Sequence, residues 1–436
     1  MRLLRSVSII NAMLLTSGFA GAGAQHAGHD MSAMSADTAA HPSSRLHVMV
    51  QAIPLVTRAD PSAGGAPVTQ AVLSQVVAML RGSFADGHGA LAAALDAEGI
   101  TMPNGELNTG GYGEGFVDRR HPHTYIHELM VSGLGQTGPV NWSASAGRGF
   151  APFGTDDPMM RPIVKFPINH HLAQILERAT IIGAARVGPI VVEGATFGGD
   201  EPSYPSSLPR ASRFGDSWSV RATMIPVAGL ELQASHARVA SPEESSGIGL
   251  DQRKQSVSAR AIAPDGGRYL LVEWERTTER DAVRMRDVFG YGSALAECAV
   301  RTGPFGLALR LEQSERPEED RLAEPFRTPR PSTDLSINGL TRWRTVTLHV
   351  SGPAQVHGSL AGSPFIELAD LSAEPRNPQS LFTPERLYGT SRFVMLTAGI
   401  RLRIGGAHAR MGRYGVADIN GPAIRSMTGG VTEHQH

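Results

Sequence analysis

The residues best equipped for chemistry fall in three places. The run Asp118-Arg119-Arg120-His121-Pro122-His123-Thr124 spaces two imidazoles at i and i+2. That spacing puts them on one face of an extended chain, so His121 and His123 can share a metal ion or a hydrogen-bond network with Asp118. The same residues can equally brace a loop as a polar network inside a barrel. A second pair, His170-His171, precedes the apolar run Leu172-Ala173-Gln174-Ile175-Leu176. Neighbours on a strand point to opposite faces, so this pair can serve one ion only from a loop. The third place is the two ends of the chain. His26, His29, Met31 and Met34 lie near the start, and His408, Met411, Met427, His434 and His436 near the finish. Imidazole together with thioether suits copper, which makes copper the cofactor to expect if such arms capture metal. A polar tail with incidental histidines is the other reading of the same composition.

Other familiar chemistries lack their parts. Gly133-Leu134-Gly135-Gln136-Thr137-Gly138 matches a dinucleotide-binding glycine pattern, but Pro139-Val140-Asn141-Trp142 follows where a helix would have to begin. A hairpin turn accounts for the glycines. His127-Glu128 opens a zincin-like pair whose second histidine is missing, since Val131 stands there. With no nucleophile elbow in the chain either, no enzyme activity is expected. The single cysteine, Cys298, rules out a disulfide framework or a thiolate zinc site. Forty Lys+Arg face 41 Asp+Glu, a net charge of −1 that offers no field to attract nucleic acid.

The elements that must position these groups are strands. From about residue 45 the chain alternates with period two. Val394, Leu396, Ala398, Ile400, Leu402 and Ile404 interleave with Met395, Thr397, Gly399, Arg401 and Arg403. Such a strand has an apolar face long enough for a bilayer and a second face whose arginines would be costly in a dry core. Leu230, Leu232 and Ala234 alternate with Glu231, Gln233 and Ser235, and Phe305, Leu307, Leu309 and Leu311 with Gly306, Ala308, Arg310 and Glu312. Turn residues such as Val227-Ala228-Gly229 and Thr302-Gly303-Pro304 separate these runs, while longer polar stretches follow others.

This grammar predicts an all-β chain, an antiparallel up-and-down transmembrane β-barrel of about 16 strands over residues 45–405, near 45–57, 70–84, 88–98, 123–133, 139–149, 178–187, 189–198, 216–227, 229–239, 254–263, 267–277, 288–300, 303–314, 337–351, 354–366 and 392–404. A secreted sandwich would alternate too, but with its apolar rows inward and with more aromatic residues than the 6% here. No apolar run approaches the roughly 20 residues a spanning helix needs. Met1–Ala24 has two early arginines, an apolar core and Ala22-Gly23-Ala24, the marks of a cleaved export signal. Residues 25–44 then form a His/Met-rich leader and 406–436 a flexible tail.

The order Asp118-Arg119-x-His121-Pro122-His123, then Gly147-Arg148-Gly149 with Asp157-Pro158, then His170-His171, then Glu193-Gly194-Ala195-x-Phe197 running on to Glu201-Pro202, resembles an uncharacterised family of bacterial outer-membrane β-barrel proteins. The likeness covers most of the chain after the leader. It implies a porin-like barrel in a Gram-negative outer membrane, surrounded by lipid and passing small solutes or metal ions. Relative to that family, Thr124 replaces an acid, and Ile181 or Ile182 stands near the position of a histidine. The ends also resemble copper-resistance outer-membrane proteins in composition. The expected functions are therefore passage, with Arg260, Arg310, Arg401 and Arg403 setting charge selectivity, or copper binding with the barrel as an anchor. A lipid-modifying barrel enzyme stands third, since it needs a nucleophile or base that the motifs do not supply.

Overall fold

Alternating side chains and short glycine-bearing turns make the chain fold as consecutive hairpins. The computed structural model describes residues 46–61, 65–102, 123–155, 157–168, 170–202, 204–319, 337–377, 383–405 and 410–418. The expected export signal and the leader lie outside them.

The strands are β1 (Leu46–Asp60), β2 (Val68–Phe84), β3 (Gly89–Asp96), β4 (Ile126–Thr137), β5 (Val140–Gly149), β6 (Arg178–Val187), β7 (Ile190–Phe197), β8 (Ser217–Val227), β9 (Leu230–Val239), β10 (Asp251–Ile262), β11 (Arg268–Asp281), β12 (Arg286–Thr302), β13 (Phe305–Glu319), β14 (Ile337–Ser351, resumed at Gln355–His357), β15 (Leu360–Pro375) and β16 (Arg392–Gly405). Each pairs antiparallel with the next, and β16 pairs with β1 from Met49↔Gly405 to Asp60↔Val394, so the ring closes at 16 strands. An even count is what an antiparallel ring requires. Closure leaves no open sheet edge.

Two-residue turns at 138–139, 188–189, 228–229, 303–304 and 358–359 lie at one rim, together with the outer ends of β1 and β16. The long connections 97–125, 150–177, 198–216 and 240–250 lie at the other. Gly138, at φ 57°, gives its hairpin the left-handed residue that a two-residue turn favours, and β5 follows it directly. The glycines of 133–138 thus belong to a hairpin. The strand ends differ from the sequence reading by a few residues at most places, and most at 354, where that reading turns the chain. Pro353 interrupts β14 by lacking an N–H, but the reversal comes at Gly358, and the strand expected at 354–366 runs instead from Leu360 to Pro375.

Polarity is inverted relative to a water-soluble barrel. Along β16, Val394, Leu396 and Ile400 are 45%, 51% and 43% exposed on the outside, whereas Thr397, Arg401 and Arg403 are 3%, 5% and 5% exposed on the inside. Arg260 and Arg310 also point inward, as expected, paired with Glu231 and Glu297.

The interior departs from a water-filled tube. Nearly every described residue of 150–177, between β5 and β6, is buried. This inserted segment reaches distant parts of the wall. Arg161 pairs with Glu273 of β11, the Val164 and Lys165 N–H groups donate to Glu367 of β15, and Arg310 of β13 donates to the Lys165 carbonyl. Its apolar side chains meet apolar patches on the inner wall: Ile168 against Trp343, Leu371 and Phe393, and Val164 against Ile53, Leu55 and Phe365. Those wall positions face protein where the alternation alone predicts water.

Residues 410–418 enter as well. The sequence reading places them in a flexible tail, but the charges along them find inward carboxylates. Arg410 pairs with Glu231, Arg413 Nη1 lies 3.4 Å from Glu193, and the Tyr414 hydroxyl donates to Glu128 at 2.7 Å. The Gly412 N–H donates to the same Glu128 oxygen at 2.7 Å. Met411 packs among Phe150, Met159 and Phe166, so this arm touches the inserted segment.

Candidate functional site

Where the inserted segment leaves β5 and returns to β6, three histidines and four carboxylates share the interior: His123, His127 and His170 with Asp96, Glu98, Asp157 and Glu177, all buried. The rings of His127 and His170 lie 5.1 Å and 5.3 Å from that of His123, centre to centre. Two bulges aim the surrounding side chains. Alternation should send one of Ser74 and Gln75 outward, but a register shift in the β1–β2 pairing, with Gln75 at φ 48°, turns both inward. A second shift, between Ala94 and Leu95 in the β3–β4 pairing, accompanies His127 and Glu128, both of which are buried.

Asp96 ends β3 and Glu98 begins the helical turn Glu98–Thr101. The Glu98 N–H donates to Asp96 Oδ1 at 2.6 Å, and Glu98 Oε1 accepts from the Gln75 N–H and, at 3.1 Å, from the Ser74 hydroxyl. These bonds leave Asp96 Oδ2 and Glu98 Oε2 facing one imidazole. His123 Nδ1 donates to Glu98 Oε2 at 3.1 Å and lies 3.5 Å from Asp96 Oδ2. Burial alone would push the His123 imidazole down, yet the two carboxylates overcome it and hold it well above its ordinary value. Burial, aided by neighbouring Asp96, holds Glu98 above the usual carboxylate range.

The second centre is Glu177. It ends the inserted segment at φ 58°, a left-handed conformation that favours glycine, and spends its side chain on the Thr124 N–H at 2.8 Å and His127 Nδ1 at 2.5 Å. Burial opposes its charge, but the bond and charge of His127 prevail and hold the carboxyl below its ordinary value. The sign of the pH dependence follows. A depressed folded-state value contributes stability that is fully present above the unfolded carboxylate range and is lost as pH falls through the depressed value. We expect Glu177→Gln to lower the thermal midpoint in detergent at pH 7, followed through tryptophan fluorescence, and the gap from wild type to close below about pH 4. Asp157, which burial holds above the carboxylate range, works in the opposite sense in both proteins. A gap of equal size at pH 3 and pH 7 would refute this role of the Glu177 charge.

Of the residues singled out from the sequence, His123 and His170 come together. His170 lies in the helical turn His170–Ala173, in a loop as an adjacent pair would require. The side chain of His171 is outside the described residues, as are Asp118, His121, His26, His29, Met31 and Met34. Sequence reasoning missed Asp96, Glu98 and Glu177. Nothing in the spacing of 96 and 98 ties them to 123; the β3–β4 pairing does, with Leu95 opposite Ile126 and the Asp96 N–H donating to the Tyr125 carbonyl at 3.1 Å. It also set His127-Glu128 aside, although His127 holds Glu177 and Glu128 holds the 410–418 arm.

At the long-loop rim just above, Arg148, Glu177, Arg178, Asp200, Glu201 and Arg210 line a pocket. Arg178 pairs with Glu201 at 3.1 Å and Arg210 with Asp200 at 3.7 Å. Arg148, Asp157, His170, Glu193 and Glu201, all within the motifs that carry the family resemblance, thus fall at one end of β5–β7, along the inserted segment or on the wall facing it.

No protein-family model and no curated protein matches the chain. Among solved structures, the chain is similar to an anion-selective porin from Comamonas acidovorans, at 10% identity over 83% of this chain and 100% of that one, TM-score 0.48. It is also similar to OprB of Pseudomonas putida at high pH, at 8% identity over 83% and 94%, TM-score 0.48. A third is a loop-deletion mutant of OmpT, an outer membrane protein of Vibrio cholerae, at 8% identity over 83% and 100%, TM-score 0.45.

Proposed function

We propose that this porin-like barrel sits in a bacterial outer membrane and passes small solutes or ions along a narrow path lined by ion pairs. The observation that carries this reading is the inverted polarity of the closed ring: leucine, valine and isoleucine rows outward, arginine, glutamate, serine and threonine rows inward. Exposed Phe84, Trp142 and Phe305 near the short-turn rim and Tyr125 and Trp218 near the long-loop rim match aromatic belts at the two edges of a bilayer. The mixed charges of the rim pocket give such a path a polar mouth at the long-loop side.

The second reading, copper capture by the ends with the barrel as anchor, draws on the leader and the terminal histidines. One comparison separates the two. Reconstituted in planar bilayers, the protein should show discrete ion conductance, and deletion of 25–44 should leave it unchanged. Conductance lost with that deletion would favour the capturing leader, and a barrel silent in both forms would refute passage.

A further inference from the structure

We propose that Asp96, Glu98 and His123 form a binding site for a divalent first-row cation, built into the inner wall independently of whether solutes pass. Three observations support it. First, the separations fit. One ligand atom from each residue lies within 4.8 Å of the other two, with His123 Nδ1 at 3.1 Å from Glu98 Oε2 and 3.5 Å from Asp96 Oδ2. With metal–ligand bonds near 2.0–2.2 Å, neighbouring ligand atoms of a tetrahedral ion sit roughly 3.4 Å apart. The ion would take the place of a proton on Nδ1, the ring atom that faces both carboxylates.

Second, the charge is unbalanced. Two side-by-side carboxylates are buried with a single imidazole, and no arginine or lysine among the described residues pairs with either of them. With both carboxylates ionised, even a protonated His123 leaves the trio one negative charge in excess. Such an excess is expensive away from water, and a divalent cation removes it.

Third, the trio is oriented as ligands are. Glu98 keeps one oxygen on the Gln75 N–H and the Ser74 hydroxyl, and Asp96 keeps one on the Glu98 N–H, so each carboxylate presents its other oxygen to the centre. Asp96 Oδ2 is buried, lies 3.5 Å from His123 Nδ1 and accepts no hydrogen bond among the described residues, on the side an ion would fill. One nitrogen and two hard oxygens, without sulfur, suit Zn2+, Mn2+ or Fe2+ and disfavour Cu(I). The chemistry expected from the His/Met ends is therefore different from the chemistry of this site.

The test uses the full chain in detergent, stripped with EDTA and titrated with Zn2+ alone. We expect wild type to bind one more equivalent than His123→Ala. Glu98→Gln and Asp96→Asn, close in shape to the native residues, should weaken that equivalent by about tenfold or more. Deletion of 25–44 removes sites in the leader and should leave this equivalent in place. Equal stoichiometry and affinity in wild type and in variants that migrate as folded barrels would overturn the proposal, as would loss of the equivalent with the leader. If the variants do not fold, the leader-deleted chain decides: its thermal midpoint should rise as Zn2+ is added, and an unmoved midpoint would overturn the site.

Discussion

Replacing residues 156–174 by a short glycine-serine linker should raise single-channel conductance by about tenfold or more, because a 16-stranded ring without an insert encloses an aqueous channel. The replaced stretch holds groups that cross the lumen to the wall: Arg161 on Glu273, the Val164 and Lys165 amides on Glu367, and Ile168 against Trp343 and Phe393. Its neighbours Phe153 and Ile175 remain to pack on Phe197 and Val239, so the ends of the excision stay anchored to the wall. The wall itself is held by its own ladder and should still close. The expected result is a barrel that keeps its heat-modifiable mobility on gels yet conducts strongly. A folded barrel with wild-type conductance would mean that the inserted segment is not what narrows the path.

The second large effect concerns the pair that fixes this segment at its centre. Glu273→Ala should destabilise the protein by about 3–5 kcal/mol, because it takes the bidentate carboxylate away from a buried guanidinium. Arg161 Nη1 and Nη2 each donate to one Glu273 oxygen at 2.9 Å, and both side chains are almost wholly shielded. After truncation the guanidinium keeps its bond to the Thr155 hydroxyl at 3.3 Å but loses this two-pronged carboxylate partner. Replacing both partners, Arg161→Met with Glu273→Leu, should cost much less than the single change, since no charge is then left behind. Urea midpoints in detergent at pH 7 give the comparison. Equal losses in the single and double variants would show that packing, and not the buried charge, sets the cost.

Much of the barrel is legible in the sequence because period-two alternation and turn residues are local signals. The rows through Val394–Ile404 and Leu230–Ser235 fall on the faces their residue types dictate, and the ring closes at the expected strand number. What fills the ring is not legible. The stretch 150–177 carries neither strand nor helix period, and its meaning lies in contacts such as Arg161 with Glu273, more than a hundred residues away. Residues 410–418 read as tail because their partners Glu128, Glu193 and Glu231 lie far back in the chain. At the candidate site the histidines stand out by type, so His123 and His170 are found. Asp96 and Glu98 look like ordinary strand-end acids, and bulges, which break the very alternation used to read the chain, deliver Ser74 and Gln75 to them.

The 410–418 arm has a mechanical consequence. It follows directly on β16, which zips to β1, and it fastens to β4, β7 and β9 elsewhere in the ring. A wide hoop of strands is stiff along each strand but easily flattened sideways. A strut from the seam to other staves resists that ovalisation.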